Sequence, residues 1–167
     1  MHSADWMRGN LTAQSYCLSD AERRELAVGL RFSTGLCLSL VVVALARESP
    51  AMVFALSAIG VVAGFTARHP FDHLWNYAVR RVIGGPSLPP NPTRRRHAFT
   101  IATARLSVVG TLLTTRATTA GLVLAGLPVA ACATVTSTNL CLPSETFAWW
   151  ARHTQRKHAI TTEGAKP

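Results

Sequence analysis

"AVGLRFSTGLCLSLVVVALA", residues 27–46, carries one charge, Arg31, in twenty residues. Its apolar residues cover every face of a helix, whereas a surface helix of a soluble bundle keeps one apolar stripe. At 1.5 Å of rise per residue the stretch is about 30 Å long, the thickness of a bilayer's hydrocarbon core. Three further runs share this character: "AMVFALSAIGVVAGFTA" (51–67), "AFTIATARLSVVGTLLTT" (98–115) and "AGLVLAGLPVAACATVTSTNLCL" (120–142). The expected fold is all-α: an integral membrane four-helix bundle of two transmembrane hairpins, with spans over 27–46, 51–67, 98–115 and 120–141. This membrane domain, 26–142, is expected to follow a cytoplasmic N-terminal segment, 1–25. An interfacial helix and basic cytoplasmic tail, 143–167, are expected after it.

Local signals place the helix ends. "SDAE" at 19–22 reads as a capping box, Ser19 capping and Glu22 reaching back, so the first helix starts ahead of the membrane and enters it near Leu26. "RESP" at 47–50 is a tight turn, with Pro50 suited to open the second helix, and "TTRATT" at 114–119 is the other. Asn91 and Pro92 are read as the cap and first turn of the third span.

Composition agrees with lipid as the solvent. The chain is 49% hydrophobic and 15% charged, where a soluble domain has about a quarter of its residues charged. Lys plus Arg number 17 against 8 acidic residues, a net charge of +9. Long uncharged spans separate the basic clusters, and no zinc-finger spacing or RNA-binding signature occurs, so no nucleic-acid partner is expected. An anionic bilayer surface remains. The polar first 26 residues, with Asp5, Asp20, Glu22 and Glu25, do not read as a signal peptide. Because basic residues collect on the cytoplasmic side, both termini and the central loop are expected inside the inner membrane.

That loop, "RHPFDHLWNYAVRRVIGGPSLPPNPTRRRH" at 68–97, gathers arginines, aromatics and prolines. Leu74, Trp75, Ala78, Val79, Val82 and Ile83 recur at helical spacing, with Asp72, His73, Asn76, Arg80 and Arg81 on the other side. The expectation is an amphipathic interfacial helix, opened by Pro70 and closed by Gly84–Gly85, with Trp75 on its lipid face. "PSLPPNP" is then an extended strap, and Arg80, Arg81, Arg94, Arg95 and Arg96 are expected to meet lipid headgroups. Trp149–Trp150 reads as the aromatic belt of the fourth span.

"HPFD", the "LPPNPTRRR" strap and "NLCLPS" together resemble a bacterial family of small membrane proteins, the domain of unknown function 4395, over residues 11–150. The resemblance implies a four-span inner-membrane protein and a connection to soluble thioredoxin-like or sulfurtransferase partners. It carries over no catalytic residue. Where some relatives have a second cysteine near the end of the last span, this chain reads Cys141-Leu-Pro-Ser144.

Arg105 is the most anomalous residue. It lies nine positions past Arg96, about 13 Å into the third span, with no Asp or Glu inside any span. An arginine at that depth costs about 2.5–3.5 kcal/mol on insertion scales, so it must snorkel, face the bundle interior or hold an anion. Thr134, Ser137, Thr138 and Cys141 form a polar stripe that is expected to face it. Cys141, beside Asn139, is the candidate reactive thiol, while Cys37 and Cys132 are read as small buried hydrophobes. His69 and Asp72 are read as a local cap or, with Asn76, as part of a ligand or proton site. No CxxC pair, HExxH or phosphate-binding glycine loop occurs, so neither a metal nor a cofactor is expected. Three functions fit: a non-enzymatic membrane partner or scaffold, a thiol or sulfur-handling component working through Cys141 with a soluble partner, and a small-anion carrier using Arg105. Four short spans make a thin bundle, so association into a homo-oligomer is also expected.

Overall fold

The computed structural model describes residues 20–138 and residue 146. The Ser19 cap, Asn139, Cys141, Trp149–Trp150 and the basic tail lie outside the described residues. Residues 20–138 form five helices in succession: α1 (Asp20–Ala46), α2 (Pro50–Phe65), α3 (Pro70–Ile83), α4 (Thr93–Thr114) and α5 (Thr118–Thr138). No strand occurs among the described residues.

The two short turns are built alike. The Glu48 N–H donates to the Leu45 carbonyl at 2.9 Å and the Ser49 N–H to Ala44 at 3.0 Å; in the second hairpin Arg116 donates to Leu113 at 3.2 Å and Ala117 to Leu112 at 2.9 Å. Each set satisfies the last carbonyls of a helix by placing one residue in the left-handed region. Those residues are not glycines: Glu48 has φ 46° and Arg116 φ 60°. The next helix starts at once, with Ser49 Oγ accepting the Met52 N–H at 3.4 Å and Pro50 in the first turn.

An apolar core of Val41, Val53, Leu56, Leu106, Val109 and Leu113 lies between the helices, and large apolar residues also cover the outer faces. On α5 the buried residues are Gly121, Ala125 and Pro128, while Leu122, Val123 and Leu127 point outward. On α2, Phe54, Val61, Val62 and Phe65 are exposed. Large apolar residues on the outer faces, with small ones buried on α5, suit a hydrocarbon solvent, in which close packing holds helices together.

α2 and α4 make the closest helix pair. A Cβ on Gly60 would collide with Thr103 Oγ1, and one on Gly64 would lie 2.7 Å from Thr100 Oγ1. Gly60-Val-Val-Ala-Gly64 is thus a GxxxG spacing that lets two backbones approach within one chain. No GxxxG motif is expected to mark a helix face, and this pair corrects that expectation.

Two helices are long and apolar enough to cross a membrane, Glu25–Ala46 within α1 and the whole of α5; α2 and α3, bent by 83° at their junction, qualify together as a third. Among the described residues two of the four expected spans pass on length and composition, or three if the bent pair is one span. α2 has 16 residues, about 24 Å, short of a 30 Å core. α4 is longer, at 22 residues, but carries Arg94, Arg95, Arg96 and Arg105.

The central loop differs most from expectation. α3 is helical from Pro70, passes through a π-helical turn at Trp75–Val79 and ends at Ile83, where Gly84 takes φ 77°. Its buried side is Asp72, Trp75 and Asn76, while Leu74, Tyr77, Val82 and Ile83 are exposed. Trp75 therefore faces the protein instead of the headgroup layer. It packs with Leu26, Leu30 and Leu88 against Gly29, where an added Cβ would lie 2.8 Å from the indole. The strap is extended as expected, but Pro92, not Asn91, is the residue before α4, and α4 begins at Thr93.

Candidate functional site

The loop is held by polar groups that the sequence distributes over residues 67–96. Asp72 Oδ2 accepts the His69 N–H at 3.0 Å and the Asn91 side-chain amide at 2.7 Å, while the Asn91 N–H donates to the Ala67 carbonyl at 2.7 Å. Asn91 is thereby drawn away from capping α4. Asn76 pairs with the backbone of Leu88, accepting its N–H at 2.7 Å and donating to its carbonyl at 3.4 Å. The Trp75 indole N–H donates to the Pro86 carbonyl at 3.2 Å. Proline-rich chain has few donors of its own, so side chains of α3 supply the partners that a strand neighbour would otherwise provide.

His69 does cap α3, as one of its two expected readings has it: Nδ1 accepts the Phe71 N–H at 3.1 Å. With Nδ1 accepting, the ring proton sits on Nε2. The imidazole lies edge-on to Phe99, centroids 5.0 Å apart, and burial lowers its pKa to about 4; Asp72 opposes that shift and Arg95 adds to it. Asp72 is 1% exposed, and its Oδ1 is buried with no hydrogen-bond partner.

The headgroup arginines separate into two groups. Arg95 is 4% exposed, its guanidinium 5.6 Å from the Phe99 ring centre. Arg96 donates to the Gly64 carbonyl at 3.1 Å and to Phe65 at 2.8 Å, capping the C-terminus of α2. Arg95 is thus withdrawn from the surface, while Arg96 is half-buried with its guanidinium on the end of α2. Arg81 is exposed; Arg80 and Arg94 are half-buried, Arg80 Nε donating to the Asn76 carbonyl at 2.7 Å.

Two adjoining cavities lie among the helices. One, about 70 Å³, is lined by Ser33, Cys37, His69, Thr103 and Cys132 with apolar neighbours. The other, about 110 Å³, is lined by Arg95, Phe99, Arg105, Leu127, Ala131 and Val135, among others. Thr34, Phe99, Ala102, Pro128 and Cys132 border both. Arg105, itself exposed, shares that lining with Leu127, Ala131 and Val135 of α5, and Thr134, Ser137 and Thr138 are not in it. Their hydroxyls donate to carbonyls one turn back, Thr134 to Ala130 at 2.8 Å, Ser137 to Ala133 at 2.8 Å and Thr138 to Thr134 at 2.6 Å. A hydroxyl on an apolar helix finds its nearest acceptor on its own backbone, so a polar stripe need not mark a partner. Sequence reasoning gave these members other roles: Asn91 as the cap of α4, Arg95 among the headgroup arginines, and Cys37 and Cys132 as small buried hydrophobes. Cys37 and Cys132 are distant in sequence, and only helix register shows that they line one space.

Large apolar side chains on the outer faces and, among the described residues, two helices long and apolar enough to cross a membrane point to a helical membrane protein. More particularly, the chain belongs to the family of the domain of unknown function DUF4395, whose model matches residues 27–152. Comparison with curated proteins and with solved structures returns no match.

Proposed function

We propose that the chain is a four-span inner-membrane protein, with termini and central loop inside, that binds a small anionic group in the groove between Arg95 and Arg105. The observation that carries this reading is Arg105 lining one cavity with the buried Arg95. Residues 73–138 contain no Asp or Glu, so neither α4 nor α5 supplies a carboxylate to offset Arg105. A cation in hydrocarbon is costly without a counter-charge. A space of about 110 Å³ admits several waters or one small oxyanion. The bend of 83° before α3, with Leu74, Tyr77, Val82 and Ile83 outward beside Arg81, suits a helix lying along the inner headgroup layer.

The test is thermal unfolding of the full chain in neutral detergent, titrated with sulfate or phosphate and, separately, with an anionic phospholipid. Either ligand should raise the melting temperature, and Arg105→Ala should abolish the response that Arg105→Lys partly keeps. A response to lipid alone assigns the group to a headgroup; a response to the free oxyanion assigns it to a soluble ligand, and uptake into proteoliposomes then tests transport. No response to any of the three overturns the reading.

A further inference from the structure

The smaller cavity holds chemistry that anion binding does not use. Cys37 of α1 and Cys132 of α5 both line it, and both are present as thiols. The helices are close at this level: a Cβ on Gly35 would touch Thr136 Cγ2 at 3.4 Å. Gly35 lies two residues before Cys37, and Thr136 one turn beyond Cys132. In this antiparallel pair the two thiols therefore sit nearly level. Ser33 Oγ, in the same lining, is buried without a hydrogen-bond partner. The rest of the wall includes Leu38, Val41, Leu56 and Ile59. Cys37 is also near the middle of the membrane-crossing stretch Glu25–Ala46. A water-soluble oxidant would have to enter hydrocarbon to reach it.

We propose that Cys37 and Cys132 are a redox dithiol whose electron acceptor is a lipid-soluble quinone. Two S–H bonds break and one S–S bond forms; the two electrons and two protons released reduce the quinone to its quinol. A disulfide needs Cα atoms within about 7 Å, a spacing that cross-linking reads directly. The inference is independent of the anion site, because its readout is a covalent bond.

The experiment uses the reduced full chain in liposomes with decylubiquinone. Quinol formation is followed by absorbance, and a Cys37–Cys132 peptide is sought by mass spectrometry without reductant. Expected are one quinone reduced per chain and the linked peptide, both lost in Cys37→Ala and in Cys132→Ala and both kept in Cys17→Ala and Cys141→Ala. Copper phenanthroline serves as a quinone-free oxidant on the unaltered chain, so the pairing is tested even where a variant folds poorly. No linked peptide with either oxidant overturns the pair. Linkage with copper phenanthroline but not with quinone overturns the acceptor and the proposal with it, and so does quinone reduction that persists in both alanine variants.

Discussion

Asn91 donates its side-chain amide to Asp72 Oδ2 at 2.7 Å, joining the end of the proline-rich strap to the first turn of α3. The same oxygen accepts the His69 N–H, so one buried carboxylate holds both ends of the central loop. The loop is a folded cap on one end of the helices, anchored by Trp75 and Leu88 against α1.

Asn91→Ala removes one of two donors to a buried carboxylate oxygen. It should destabilise the protein by about 1–3 kcal/mol, the usual cost of a buried group left short of a partner. Asn91→Asp should cost more, because it sets a second carboxylate against Asp72. Denaturation in detergent measures both, and increased trypsin cleavage after Arg80 and Arg81 would place the loss in the loop.

Gly29→Ala tests the seat of the cap. The new methyl would lie 2.8 Å from Trp75 and 2.9 Å from Leu88 Cδ2, contacts that require the indole or the strap to move. Overpacking of this kind costs about 1–3 kcal/mol. The expected signature is faster proteolysis of the loop while helix content by circular dichroism stays constant. Unchanged proteolysis would show that Trp75 does not hold the cap.

His69 makes stability depend on pH. Its pKa is lowered in the folded chain to about 4 from an ordinary 6.5, so between those values the unfolded chain binds more protons. The contribution is complete above about pH 6.5 and is lost as pH falls towards 4; over that window it amounts to about 3 kcal/mol. His69→Asn keeps an acceptor for the Phe71 N–H without a titrating ring. Melting temperatures between pH 4 and 7 should fall with acid in the original chain and flatten in the variant.

Glu48→Gly and Arg116→Gly should each stabilise. Both residues sit in the left-handed region, φ 46° and 60°, which costs a side-chain-bearing residue about 1–2 kcal/mol. Glycine removes that cost and returns part of it as unfolded-chain entropy. A net gain of about 0.5–1 kcal/mol is expected at each hairpin, read as a higher melting temperature. A loss at either site would mean that the side chain itself holds the turn.

What the sequence determines alone follows from local physics. Apolar length and a scarcity of charge announce helices that meet lipid. Pro50 and Gly84 mark ends because their backbone preferences act wherever they stand, and the strap is extended because prolines cannot continue a helix. Which face of α3 turns inward was decided by tertiary structure. Leu74, Val82 and Ile83 are exposed, as a lipid-facing side requires, but Trp75 turns inward with Asp72 and Asn76, because Asn91 and Leu88 supply hydrogen bonds to the polar pair from 19 and 12 residues away and Gly29 leaves room for the indole. Arg95 is buried and Arg96 spent on the end of α2 for the same kind of reason, since only the α2–α4 approach through Gly60 and Gly64 brings those partners within reach. A polar group's place depends on where its partner is, and that distance is set by the fold, not by its neighbours in the chain.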